Sequence, residues 1–379
     1  MNIIIYNDCI KKEGKTMEIT RPTVYEIDLN NFKHNVNKIK EYVGKNVTIM
    51  PVIKASAYGT YLNKQIDVIN EFDIVAVALV DEAVELRNLG YKKEIFVLNQ
   101  PYKEEIEKIV TNNITIGISS MGFLEEIGNY GKNVKIHIEI GTGMGRTGIN
   151  PNRVEEYINL VKKYENVVIE GMYTHLSSAD IDMEYTEKQL NSFARAVTKA
   201  KEMLGQLKYV HCSASNGILN FDDSYYNLVR PGLILYGYES CEGANQKLDL
   251  KPVCKLKSKV TFLKEVEAKT SIGYSRSYIT DKKTKVATVP IGYADGLKRA
   301  LSNKGEVVIN GIKAPIIGSV CMDSFMIDVT NVENVSVGDD VYIWDNEIIK
   351  VEDVAALCGT INYEIICTIS DRVPRRFIK

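Results

Sequence analysis

The chain is poor in several things, and each shortage narrows what it can be. Charge of one sign is missing: 47 Lys and Arg face 49 Asp and Glu over 379 residues, a formal net charge of −2. With no long basic run either, nucleic acid is not expected as the main partner. No apolar run approaches the ~20 residues that cross a bilayer, so no membrane association is expected. Seven cysteines (Cys9, Cys212, Cys241, Cys254, Cys321, Cys358, Cys367) are scattered, odd in number and free of CxxC pairs. That is the pattern of a reduced, cytoplasmic protein and not of a disulfide framework. Only four histidines occur, none at the HExxH spacing, so no metal site is expected. The opening MNIIIYNDCIKKEGK has no basic region ahead of its apolar piece and no small-residue cleavage site. It does not read as a signal peptide. Residues 1–20 are read as an N-terminal extension, with Met17 a candidate start and the first sixteen residues expected to be disordered.

What is present is ordinary globular material, 45% hydrophobic and 25% charged. The length suggests about two domains of ~150 residues each. Eight short β-branched runs alternate with amphipathic stretches: 47–54, 74–79, 95–99, 114–119, 134–140, 167–175, 209–215 and 228–235. Eight strand–helix units predict a (β/α)8 TIM-type barrel over 21–245, with a doubly wound open sheet as the competing architecture. From 246 to 379 strands follow one another with turn signals, and Asn310-Gly311 marks a hairpin. A mostly antiparallel β domain is expected there, with one short helix near VEDVAALCG. The stretch ESCEGANQKLDLKP reads as the linker.

Barrel active sites sit at the carboxyl ends of the strands. Lys54 ends the first run, Arg146 follows the fifth, His175 ends the sixth, Ser215 ends the seventh and Arg230 lies in the eighth. Each alone has a structural explanation; together they mark one rim. A lysine held among apolar strands has a lowered pKa and attacks aldehydes. The segments SASNG and RPGL, after strands seven and eight, stand where such barrels cradle phosphate. Lysine plus phosphate cradle suggests pyridoxal 5′-phosphate. A rival signal is GMGRTG, Gly143 to Gly148, which fits a dinucleotide fingerprint with Glu170 at a later strand end. It opens the fifth unit and not the first, and a glycine-permitted turn accounts for it.

The segments VIKASAYG, GTGMGRTG, THLSSAD, RPGLILYG, GYSRSY, IGYADGL, GSVCMDSFMID and TINYEIICTIS occur in that order. In this the sequence resembles the alanine racemase family from about Pro22 to Ile378. The resemblance implies a homodimeric, cytoplasmic isomerase that interconverts L- and D-alanine for cell-wall synthesis. Lys54 would carry the coenzyme covalently and act as one acid–base. Tyr274 would be the other, reaching in from the partner subunit. Arg230 would face the pyridine nitrogen, with His175 supporting it. Tyr58, Ser215, Gly232, Leu233 and Tyr363 would hold the phosphate. Arg146 and the Met322 backbone would orient the substrate carboxylate, with Tyr293 and Asp323 lining the entry. Removing an α-proton on one face and returning it on the other needs two bases, each tuned from near ~10 toward neutrality. An always-charged arginine opposite the ring nitrogen leaves that nitrogen unprotonated and argues against decarboxylation.

Two departures from the family pattern stand out. Ser56, Thr60 and Tyr61 replace asparagine, histidine and glycine after the cofactor lysine, which bears on substrate preference. Glu139 stands where many members carry a carbamylated lysine, and Gly141 where they carry aspartate. Glu139 is expected to supply directly a carboxylate that props Arg146. The alternatives are a racemase of serine or of longer side chains such as lysine or ornithine, and a non-catalytic pyridoxal-phosphate carrier.

Overall fold

The computed structural model describes residues 4–6, 20–241 and 243–379. Disorder is expected before Met17, but Ile4–Tyr6 forms a strand paired antiparallel with residues 375–377; the rest of that stretch lies outside the described residues. The chain divides into two compact units: 34–57 with 61–251, and the described residues up to Lys33 with 58–60 and 252–379.

The first unit is a barrel. Six parallel strands, Ile74–Val77, Glu94–Val97, Thr115–Ile118, Val134–Glu139, Val167–Tyr173 and Tyr209–His211, pair in sequence order. Thr48–Ile49 and Leu228–Val229 pair in parallel with each other. The bridges Val52–Ala76 and Ala214–Arg230 join that pair to the six strands and close the ring at eight. Closure excludes the open-sheet alternative. The outer helices are locally specified. Asp182 caps Met183–Leu204 by accepting from the Tyr185 N–H at 2.9 Å, and Gly205 follows at φ 79°.

The barrel interior is not uniformly apolar. Along Val134–Glu139 the residues alternate faces, which puts Lys135, His137 and Glu139 on one side. His137 is fully buried against Phe96, with ring centroids 4.4 Å apart. Gly117 and Gly171 make room: a Cβ at Gly117 would lie 2.3 Å from the Tyr173 hydroxyl.

The second unit is a ten-stranded, mostly antiparallel sheet. Val24–Asp28 inserts between Cys254–Lys259 and Arg375–Ile378, the latter pairing in parallel. The expected hairpin is present: Ile309 pairs with Ile312, and Asn310 and Gly311 take φ 50° and 75°. Val351–Cys358 is the expected helix, ended by Gly359 at φ 67°. A further helix, Asn362–Cys367, follows it. Among the described residues, no helix is long and apolar enough to cross a membrane.

Candidate active site

The site begins where the first barrel strand stops. After Ile53 the chain enters a left-handed turn: Ala55, Ser56, Ala57 and Tyr58 all have φ between 52° and 57°. Non-glycine residues pay roughly 1–2 kcal/mol each for this conformation. Sequence reading extended the strand through Lys54; the structure makes Lys54 the first residue of the turn. Glu82 anchors the turn, its carboxylate accepting from the N–H groups of Ala55 at 2.5 Å and Ala78 at 2.7 Å.

Around that turn the barrel rim gathers Arg146, His175, Ser215, Arg230, Gly232 and Leu233. Arg230 is only 2% exposed. Its Nη1 lies 2.7 Å from His211 Nδ1; its Nη2 donates to the Thr174 and Cys212 carbonyls at 2.9 and 3.1 Å and lies 3.4 Å from His175 Nδ1. These bonds leave the Nε hydrogen and one Nη1 hydrogen without a partner among the described residues. Burial, then the charges of Arg230, Arg146 and Lys54, push the His175 pKa down to about 3. Ser215 Oγ accepts from the Gly232 N–H at 3.2 Å, and Leu233 opens a 3-10 turn from that point.

Glu139 is buried at the end of its strand. Its Oε1 accepts from Thr147 Oγ1 at 2.8 Å, and the Tyr173 hydroxyl, which donates to the Leu98 carbonyl at 3.0 Å, lies beside it. Burial raises its pKa; the Thr147 bond, the neighbouring Tyr173 hydroxyl and the charges of Arg146 and Arg230 oppose the rise. Thr147, the residue after Arg146, makes the hydrogen bond, and Arg146 itself acts through its charge.

The glycine-rich loop does not open a helix. Gly141 N–H donates to the Ile149 carbonyl at 2.9 Å and Ile149 N–H to the Glu139 carbonyl at 2.8 Å. A Cβ at Gly148 would lie 2.4 Å from the Gly141 nitrogen. The loop folds back on its own strand before the next helical turn at Pro151–Arg153, which disposes of the dinucleotide reading.

The sheet unit holds the remaining predicted residues in two groups. Tyr58 and Tyr363 face each other with ring centroids 6.1 Å apart. Burial, then the neighbouring Tyr363 and Cys367, hold the Tyr58 phenol well above its ordinary pKa, so it stays a donor. Gly59 permits this approach, because a Cβ there would lie 2.5 Å from the Ile366 carbonyl. Buried Arg375, which sequence reading missed, donates to the Gly59 carbonyl at 3.0 Å and to those of Ser370, Val373 and Ile369.

The second group is a loop cluster. Tyr274 tips a small hairpin, Ser271–Ile272 against Tyr278–Ile279, and is 71% exposed. Tyr293 N–H donates to the Cys321 carbonyl and Ala294 N–H to the Met322 carbonyl, both at 3.0 Å. Asp323 pairs with Arg372 at 2.6 Å. Buried Asp295, also missed, receives Arg21 at 2.8 and 2.7 Å and the Gly292 N–H at 2.9 Å.

The residues fit pyridoxal phosphate. A buried arginine with uncommitted hydrogens suits an unprotonated ring nitrogen. A hydroxyl beside the glycine backbone of the barrel suits a phosphate.

Comparison with known proteins agrees. The family model "Alanine racemase, N-terminal domain" matches residues 27–240, and "Alanine racemase, C-terminal domain" matches 253–377. The alanine racemase of Halothermothrix orenii is 39% identical over 369 residues, 95% of this chain and 97% of that protein. A structure of alanine racemase from Clostridium difficile 630 superposes with a TM-score of 0.90 at 36% identity, covering 95% of this chain and 97% of its own. A structure from Bacillus anthracis with bound L-Ala-P gives 0.89 at 34%, covering 96% of each chain.

Proposed function

This chain belongs to the alanine racemase family, and from that premise we propose that it interconverts L- and D-alanine with pyridoxal 5′-phosphate. The observation that carries the reading is Arg230, buried, held by four neutral acceptors, with two hydrogens left uncommitted at the barrel rim. When bound, the coenzyme supplies an electron sink that acidifies the α-proton. Lys54 carries the coenzyme and moves the proton on one face. Tyr274, contributed by a second copy of the chain, moves it on the other; its exposure at a hairpin tip supports that placement. Arg230 donates to the ring nitrogen and keeps it unprotonated, which weakens the sink and limits side reactions. Tyr58, Ser215, Gly232, Leu233 and Tyr363 hold the phosphate. Arg146 and the Met322 backbone orient the substrate carboxylate, and Glu139 steadies the Arg146 segment through Thr147. Tyr293 and Asp323 line the entry.

The test is α-proton exchange in deuterium oxide over L-alanine, L-serine, L-lysine and L-ornithine, with Lys54→Ala as control. Fast exchange and racemisation of alanine supports the reading. Preference for serine or a longer side chain assigns a different substrate, and no exchange on any of them refutes it.

A further inference from the structure

Two buried imidazoles stand in line behind Arg230. His211 Nδ1 faces Arg230 Nη1 at 2.7 Å, and His211 Nε2 faces His137 Nδ1 at 2.9 Å. Both rings are fully buried. A guanidinium can only donate, so His211 Nδ1 accepts, and its neutral ring carries hydrogen at Nε2. That N–H must donate to His137 Nδ1, which fixes the His137 hydrogen at Nε2 in turn. Burial and nearby cations keep both rings neutral: His137 is pushed down to about 3, and His211 well below its ordinary value.

The far end of this line is unusual for a core residue. His137 Nε2 has no hydrogen-bond partner among the described residues. An unsatisfied buried donor is a cost that leucine or phenylalanine would avoid. The ring packs against Gly171, where a Cβ would lie 2.6 Å from the Tyr209 carbonyl and 3.0 Å from the imidazole. Packing alone does not explain an imidazole there; its accepting Nδ1 does.

We propose that His137 is a positioning residue for Arg230: its Nδ1 locks His211 in the Nε2–H tautomer, and His211 Nδ1 then fixes the guanidinium with its uncommitted hydrogens toward the coenzyme. The inference rests on the reading of Arg230 given above. Without His137, the Nδ1–H tautomer of His211 becomes accessible and sets an N–H against an N–H of Arg230, which turns the guanidinium away.

The chain's four histidines make the test direct. In full-length holoenzyme with 15N-labelled imidazoles, the three rings of His137, His175 and His211 should stay neutral and Nε2-protonated from about pH 6 to 9. His137→Leu removes the acceptor. His137→Asn returns an amide oxygen near the Nδ1 position. His137→Leu should mix the His211 tautomers, shift the coenzyme absorbance band and lower kcat by about tenfold or more, with KM held within about threefold. His137→Asn should recover the band and most of kcat. An Nδ1–H tautomer for His211 in the wild type overturns the proposal, as does equal impairment of both variants. If His137→Leu does not fold, the wild-type tautomers and His137→Asn decide. A wild type that binds no coenzyme at Lys54 would refute the reading of Arg230, while the nitrogen shifts would still decide the tautomer lock.

Discussion

Replacing Ala55 with glycine separates backbone strain from packing at the lysine turn. Ala55 is exposed at φ 52°, ψ 53°, so its methyl group contributes little to the core. Left-handed geometry costs a non-glycine residue roughly 1–2 kcal/mol. Glycine removes that cost, and its greater freedom in the unfolded chain takes back about 0.5–1 kcal/mol. The net expectation is no loss of stability, or a gain of up to about 1.5 kcal/mol. Ala194 supplies the contrast, being exposed inside the long helix Met183–Leu204. There glycine should cost about 1 kcal/mol. Urea unfolding of the two variants under identical conditions should place the Ala55→Gly midpoint at or above wild type and Ala194→Gly below it. The Ala55 variant should also lose activity, since the strained turn aims Lys54 and Tyr58. Equal destabilisation by the two substitutions would refute the claim that the turn stores strain.

Other outcomes follow from the same geometry. Tyr274→Phe removes the phenol proposed as the second proton carrier and should cut racemisation by roughly 10²–10⁴-fold while coenzyme binding persists; unchanged kcat would rule that role out. Glu139→Gln should raise KM for the amino acid by roughly tenfold, about the weight of one charge-assisted contact. Because burial raises the Glu139 pKa, its ionisation costs the native state as pH rises, so Glu139→Gln should gain relative stability from acid toward neutral pH. A constant offset between the two proteins across that range would contradict this. The buried histidines act in the opposite sense. Their folded pKa values lie below the unfolded 6.5, so below that pH the unfolded chain binds protons that the folded rings refuse. Thermal stability should fall as pH drops below about 6.5, and His137→Leu should make that fall shallower; an unchanged slope would show that His137 titrates normally.

Much of this was legible in the sequence because the signals are local. Eight β-branched runs at regular spacing announced the ring, and Asn310-Gly311 announced its hairpin. Lys54, Arg146, His175, Ser215 and Arg230 stood out because polar residues at strand ends need a reason. Tyr274 had no such signal; one exposed tyrosine among 22 is anonymous without the resemblance. Non-local pairing was hidden as well. Nothing in Val24–Asp28 says that it lies between Cys254–Lys259 and Arg375–Ile378. The left-handed turn was missed because KASAY carries no glycine to advertise positive φ. The eighth run was read as strand to Leu235, but pairing ends near Arg230 and the Pro231-Gly232 step leads into a 3-10 turn. His137 and His211 were overlooked although VKIHIEI alternates polar and apolar side chains. That pattern, inside a barrel strand covered on both faces, points a polar row into the core.

The most direct test of the account is where the coenzyme is attached. Holoenzyme reduced with borohydride, digested and read by peptide mass spectrometry should carry one pyridoxyl group, on the peptide containing Lys54. A pyridoxyl group on any other lysine, or none after saturation with coenzyme, would contradict it.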